Sequence, residues 1–190
     1  MHSTLRTTIM ALPLALTLGG VAFAQTATMP APVTVGGAPM YANKDIIDNA
    51  VNSADHTTLV AAVKAAGLVE TLKGPGPFTV FAPTNEAFAA LPAGTVDTLL
   101  KPENKPALVK VLTYHVVAGR ISAADLLARI KAGNGKATLK TVQGENLTAS
   151  VIGNVVTIAD AKGGMSHVRI ADVNQSNGVI HVVDKVLLPG

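Results

Sequence analysis

The chain has 190 residues, 48% of them hydrophobic and 14% charged, so it can bury a substantial core and is not a disordered chain. Four Phe, two Tyr and no Trp leave that core to Val, Leu, Ile and Ala, and exclude the aromatic platforms on which single-stranded nucleic acid stacks. The formal charge is +3 without any dense run of Lys and Arg, which argues against a nucleic-acid partner, and the lack of Cys excludes disulfides and thiol chemistry.

The first 24 residues read as a signal peptide. Arg6 precedes an uncharged apolar run over 9–21, and Ala22-Phe23-Ala24 supplies a small-x-small cleavage pattern. The run is short for a bilayer span and is interrupted by Pro13 and Gly19-Gly20, so cleavage near Ala24 is expected, leaving a mature form that does not span a membrane and is secreted or periplasmic. Loss of the leader leaves 14 basic and 12 acidic residues. Residues 25–43 carry no charge but contain Pro30, Pro32, Pro39 and Gly36-Gly37, and are expected to form a flexible spacer. One domain, without internal repeats, is expected over 44–190.

The front of that domain has helical character. Ile46, Ile47, Ala50 and Val51 follow Asp45 in a short amphipathic pattern. Asp55 is the expected cap of a second helix carrying Leu59, Val60, Ala62, Val63 and Ala66, with Gly67 as its terminator. After the turn Gly74-Pro75-Gly76-Pro77, residues 78–82 read as a buried strand. Thr84 is placed to cap the next helix, where Phe88 and Leu91 share a face. Two short helices are expected between Thr95 and Leu112, a strand over 113–117, and a helix from the Ser122 cap to about Lys131. Five strands then follow over 136–142, 147–152, 155–159, 168–173 and 179–186, separated by Gly-containing turns. Helices first and strands later predict an α+β fold, with a layer of short helices on a largely antiparallel sheet.

Two segments go beyond pattern. Residues 78–88, Phe-Thr-Val-Phe-Ala-Pro-Thr-Asn-Glu-Ala-Phe, resemble the first signature of fasciclin domains, and residues 177–189, Asn-Gly-Val-Ile-His-Val-Val-Asp-Lys-Val-Leu-Leu-Pro, are similar to the second. Between them, Leu112-Thr113-Tyr114-His115-Val116-Val117 resembles the family's central Tyr-His element. The resemblance covers roughly residues 43–189 and implies a compact fasciclin-like β-wedge with a helical layer. It implies cell adhesion, extracellular-matrix interaction and protein binding, with no catalytic residues and no cofactor. In animal members the Tyr-His element is associated with integrin recognition, which makes Tyr114, His115, Leu112 and Val117 the candidate partner-binding residues. This chain has no Arg-Gly-Asp, and its short leader suits a bacterial envelope equally well. Thr84, Asn85, Phe88, Asn177, Gly178, His181 and Asp184 are expected to be structural, with Asn85 satisfying free backbone groups and His181 hydrogen-bonded among apolar strand residues.

Other chemistry is poorly represented. Beyond the leader, His56, His115, His167 and His181 show no metal-ligand spacing, and no metal site is expected. Ser53-Ala54-Asp55-His56 contains triad residue types, but sequence neighbours do not form a triad unaided, and a turn with a helix cap is the better reading. Gly133-Asn134-Gly135-Lys136 follows a helix and reads as its terminator, not as a phosphate loop. Asn146-Leu147-Thr148 and Asn174-Gln175-Ser176 match glycosylation sequons. The leading expectation is an exported, non-enzymatic module for an envelope, matrix or cell-surface partner. The alternative is a carrier of a small apolar ligand such as a carotenoid, a ligand some family members bind, with Phe88 and Leu91 walling its cleft.

Overall fold

A computed structural model describes residues 31–190, so the expected leader over 1–24 and the start of the spacer lie outside the described residues. The remainder of the spacer is not a free tether. Strands β1 (Val33–Val35) and β2 (Ala38–Met40) form an antiparallel hairpin whose Val35 and Met40 are buried against the domain. The turn at Gly36-Gly37 has both glycines at positive φ, so the residues that suggested flexibility instead close a hairpin. Two anchored apolar side chains are enough to correct the expected spacer over 33–40.

The helical layer follows. Asp45 caps α1 (Ile46–Ala50), accepting from the Asp48 amide at 2.8 Å, and a 3-10 turn at Ala54–His56 leads into α2 (Thr57–Ala66). Gly67 ends α2 at φ 73°, the left-handed position that glycine occupies without a Cβ penalty. Next come α3 (Val69–Lys73), β3 (Phe78–Pro83), α4 (Asn85–Ala89), α5 (Thr95–Leu100) and α6 (Lys105–Tyr114). The strand expected over 113–117 is displaced: α6 runs through Tyr114, His115 sits at its C-terminus, and β4 spans only Val116–Ala118. The Thr113 hydroxyl bonds back to the Val109 carbonyl at 2.7 Å, which lets a β-branched residue sit in a helix whose other face is buried.

The rest is α7 (Ala123–Ala132), β5 (Lys136–Lys140), β6 (Asn146–Ile152), β7 (Val155–Ala159), β8 (Met165–Gln175) and β9 (Gly178–Val183). Ser122 caps α7 in a reciprocal box with Asp125. Seven strands make one sheet in the order β4-β3-β9-β8-β7-β6-β5, antiparallel except for the parallel central pair β3–β9. A bridge between Val117 and Thr141, with the Val142 amide on the Val116 carbonyl at 2.7 Å, draws the two edges together into a near-barrel. This is the α+β architecture expected from the order of elements.

Two cores share the central strands. Val80, Ala82, Ile180 and Val182 face the helical layer, whereas Phe81 and Val183 face the barrel interior with Leu126, Leu139, Leu147 and Ile158. The alternation follows from the two-residue period of a strand, and burial on both faces explains why 78–82 reads as a continuous apolar and β-branched run. Helix α7 packs on β5 and β6 and closes the barrel end with Leu126 and Ile130.

Candidate functional site

The first signature segment builds a junction between β3, α4 and the start of α2. The Thr84 hydroxyl accepts from the Ala87 amide at 3.2 Å and caps α4, while Phe88 is buried. Asn85 points backward: its Oδ1 accepts from the Thr58 amide at 3.0 Å and the Thr57 hydroxyl at 3.2 Å, and its Nδ2 donates to the Ala54 carbonyl at 2.8 Å. The cap expected from Asp55 is therefore supplied by Asn85, 27 residues downstream of Thr58. Ser53 and His56 do meet, with Oγ and Nδ1 2.9 Å apart, but both are buried and His56 Nε2 has no hydrogen-bond partner. An acidic partner that would orient the imidazole for nucleophile activation is missing from this pair. Burial pushes the His56 ring below its ordinary pKa.

The second segment is wired just as densely. Asn177 accepts from the Ile46 amide at 3.1 Å and donates to the carbonyls of Leu72 at 2.7 Å and Gly74 at 3.0 Å, tying three segments together. Gly178 lies so close to the Phe78 carbonyl that a Cβ would collide with it. His181 stacks on Phe81 with ring centroids 5.7 Å apart; Nε2 donates to the Ile121 carbonyl at 2.8 Å and Nδ1 accepts from the Asp172 amide at 3.3 Å. Burial holds this ring neutral. Asp184 accepts from the His167 amide at 2.8 Å and faces Arg169 at 3.1 Å.

The central Tyr-His element is not a surface patch. Leu112, Tyr114, His115 and Val117 are 4%, 0%, 2% and 3% exposed, so the candidate partner-binding residues lie inside the molecule. The Tyr114 hydroxyl donates to the Asn146 carbonyl at 3.1 Å and accepts from the Ala161 amide at 2.9 Å. His115 donates from Nδ1 to the Val111 carbonyl at 2.8 Å and accepts at Nε2 from the Leu187 amide at 2.9 Å. These two bonds require the neutral ring, and full burial depresses its pKa to about 4. Tyr114 and His115 point into two different interiors, the barrel core and the helical layer.

The cavity of the helical layer does not match the apolar cleft expected for a carrier. It measures about 40 Å³ and is lined by Val35, Met40, Ile47, Leu59 and Val63, with neither Phe88 nor Leu91 in its wall. Sites for small ligands occupy roughly 300–1,000 Å³. Among the described residues, no group of three or more His, Asp or Glu is placed to hold a metal, and no helix is long and apolar enough to cross a membrane. Solvent instead meets the barrel exterior, where the β6–β7 hairpin presents Val151, Ile152 and Val155, 39%, 49% and 41% exposed. No motif marks these side chains; the only signal was apolar residues on both sides of the Gly153-Asn154 turn.

A family model described as the fasciclin domain matches residues 54–189. Protein sll1483 of Synechocystis sp. is 49% identical over 175 residues, covering 92% of this chain and 90% of that protein. Immunogenic protein MPB70 of Mycobacterium bovis is 37% identical over 145 residues, 74% of this chain and 66% of that protein. Transforming growth factor-beta-induced protein ig-h3 of Sus scrofa is 40% identical over 131 residues, 69% of this chain but only 17% of that protein. Among solved structures, a FAS1 domain pair from the insect cell adhesion molecule fasciclin I matches with a TM-score of 0.67 at 18% identity, over 76% of this chain and 51% of that one.

Proposed function

The chain belongs to the fasciclin domain family, and we propose that it acts as an exported, non-enzymatic interaction module that binds a protein, matrix or cell-surface component through its outer surface. The observation that carries this reading is where the signature residues spend their polar atoms. Asn85, Asn177, His115 and His181 each hold backbone groups of distant segments, so the polar atoms of the motifs are spent on the scaffold. Recognition then falls to the surface, and the apolar end of the β6–β7 hairpin has the character of an interaction patch. Adhesion is the role named for fasciclin I, whose fold this chain shares. The leader pattern over 1–24 supports export to the periplasm or outside the cell.

The test is equilibrium binding of the chain lacking residues 1–24 to the envelope and extracellular fractions of its source. Saturable binding is expected, weakened roughly tenfold by Ile152→Asp with Val155→Asp, since central apolar anchors carry most of an interface's free energy. Thermal unfolding of the double variant is expected to match the parent, both sites being exposed. Binding that never saturates would reject the module; full affinity in a folded double variant would reject this patch.

A further inference from the structure

Among the described residues, the seam of the sheet is held at the Val117–Thr141 bridge and the adjoining Val142–Val116 hydrogen bond. Beyond the Val117–Thr141 bridge, β4 and β5 diverge and leave a cleft of about 490 Å³, walled by residues 117–121, Arg129 of α7 and residues 138–141. That volume is in the range of small-molecule sites, and more than ten times the cavity beneath the helices. Its floor is apolar, from Val117, Ile121 and Leu139, all buried. Its charged residues are Arg120, Arg129 and Lys140, with no Asp or Glu in the wall.

None of the ion pairs among the described residues involves these three cations. Arg120 is held in place by neutral acceptors, the Asn174 side chain at 3.1 Å and the Gln175 carbonyl at 2.7 Å, which orient the guanidinium without cancelling its charge. Arg129 projects from the last turn of α7, four residues after Asp125; that carboxylate accepts from the Ser122 amide and hydroxyl at 3.0 and 2.8 Å and is held below its usual range by those bonds first and by the Arg129 charge last, so the cation is only weakly engaged within its own helix. Lys140 stands on the exposed face of β5, out of register with buried Leu139.

We propose that this seam cleft is a binding site for a small anionic ligand, one that presents a carboxylate, phosphate or sulfate to Arg120, Arg129 and Lys140. Concave walls of low dielectric concentrate the field of like charges, so three cations in a cleft attract an anion more strongly than three on an open face. This site is separate from the hairpin patch and does not depend on a macromolecular partner.

The experiment titrates the folded chain with inorganic phosphate, sodium sulfate and trigalacturonate while following backbone amides by NMR. Saturable shifts are expected at residues 119–121 and 138–141 for at least one probe. A phosphate or sulfate response without trigalacturonate identifies a compact oxyanion as the ligand; a stronger trigalacturonate response identifies an acidic saccharide. Arg129→Gln with Lys140→Gln, both exposed positions, is expected to weaken binding roughly tenfold or more, as loss of charge-assisted hydrogen bonds does. Lys140→Glu alone provides a second variant on the same readout. The proposal is overturned if the seam amides stay put up to roughly 10 mM of all three probes, or if the variants respond as the parent does.

Discussion

The interior beneath the helices and the interior of the barrel share β3 and β9 as a common wall, yet they close to different degrees. On the helical side a cavity of about 40 Å³ persists and His56 Nε2 is left without a hydrogen bond. On the barrel side Leu147, Ala149, Ile158 and Val183 are all 0% exposed, and the Tyr114 hydroxyl has both a donor and an acceptor partner. Regular ladders align side chains at fixed spacing, so facing positions interdigitate; short helices and a hairpin of two three-residue strands meet as separate bodies and leave gaps at their junctions. The lesson is that one aliphatic composition gives two qualities of packing, decided by the elements that carry it.

Acidification is expected to strain this molecule most, through the histidine where the two interiors meet. His115 lines the helical cavity while accepting from Leu187 of the barrel core. Its folded pKa of about 4 lies below the ordinary 6.5, so between those values the unfolded chain binds a proton that the folded chain refuses. Stability is therefore complete above pH 6.5 and falls by about 3 kcal/mol as the pH drops to 4. His56 and His181, also depressed by burial, act in the same direction. Urea unfolding at steps from pH 7 to 4.5 measures the fall, and a flat profile would contradict the neutral, doubly bonded ring.

Next in size is Tyr114→Phe. It leaves the barrel's packing intact but strands the Asn146 carbonyl and the Ala161 amide, at a cost of about 1–3 kcal/mol by denaturant midpoint. A neutral result would mean that water reaches this hydroxyl and that the barrel is less closed than its side-chain burial implies. The smallest effect is a gain. Val63→Ile places one methylene toward the helical cavity and is expected to add up to about 0.8 kcal/mol of stability by thermal melting. Ala149→Val, an enlargement by two carbons in the barrel, is expected to cost about 1–3 kcal/mol because no space awaits it. Equal signs for the two would erase the distinction between the cores.

Local signals were read well where local physics decides. Gly67 at the end of α2, Thr84 at the head of α4 and Ser122 at the head of α7 sit where cap chemistry places them. The candidate site fared differently. Tyr114 and His115 lie where a family resemblance assigns partner contact, but a dipeptide does not reveal that its flanking helix is packed between two cores. The seam cleft was invisible for the same reason: Arg120, Arg129 and Lys140 come from a loop, a helix and a strand, and look scattered in one dimension. The hairpin over 33–40 was hidden by composition, since Pro and Gly serve a tight turn as readily as a loose tether.

By itself, then, the sequence determined the order and type of most elements, the aliphatic nature of the core and the family signatures, because periodicity, capping and turn chemistry act over a few residues. Tertiary structure decided the parallel pairing of β3 with β9, the partner of each buried amide and imidazole, and the gap between β4 and β5. Those contacts join residues up to 131 positions apart, as Ile46 and Asn177 are, and only the closure of the whole chain brings them within hydrogen-bonding distance.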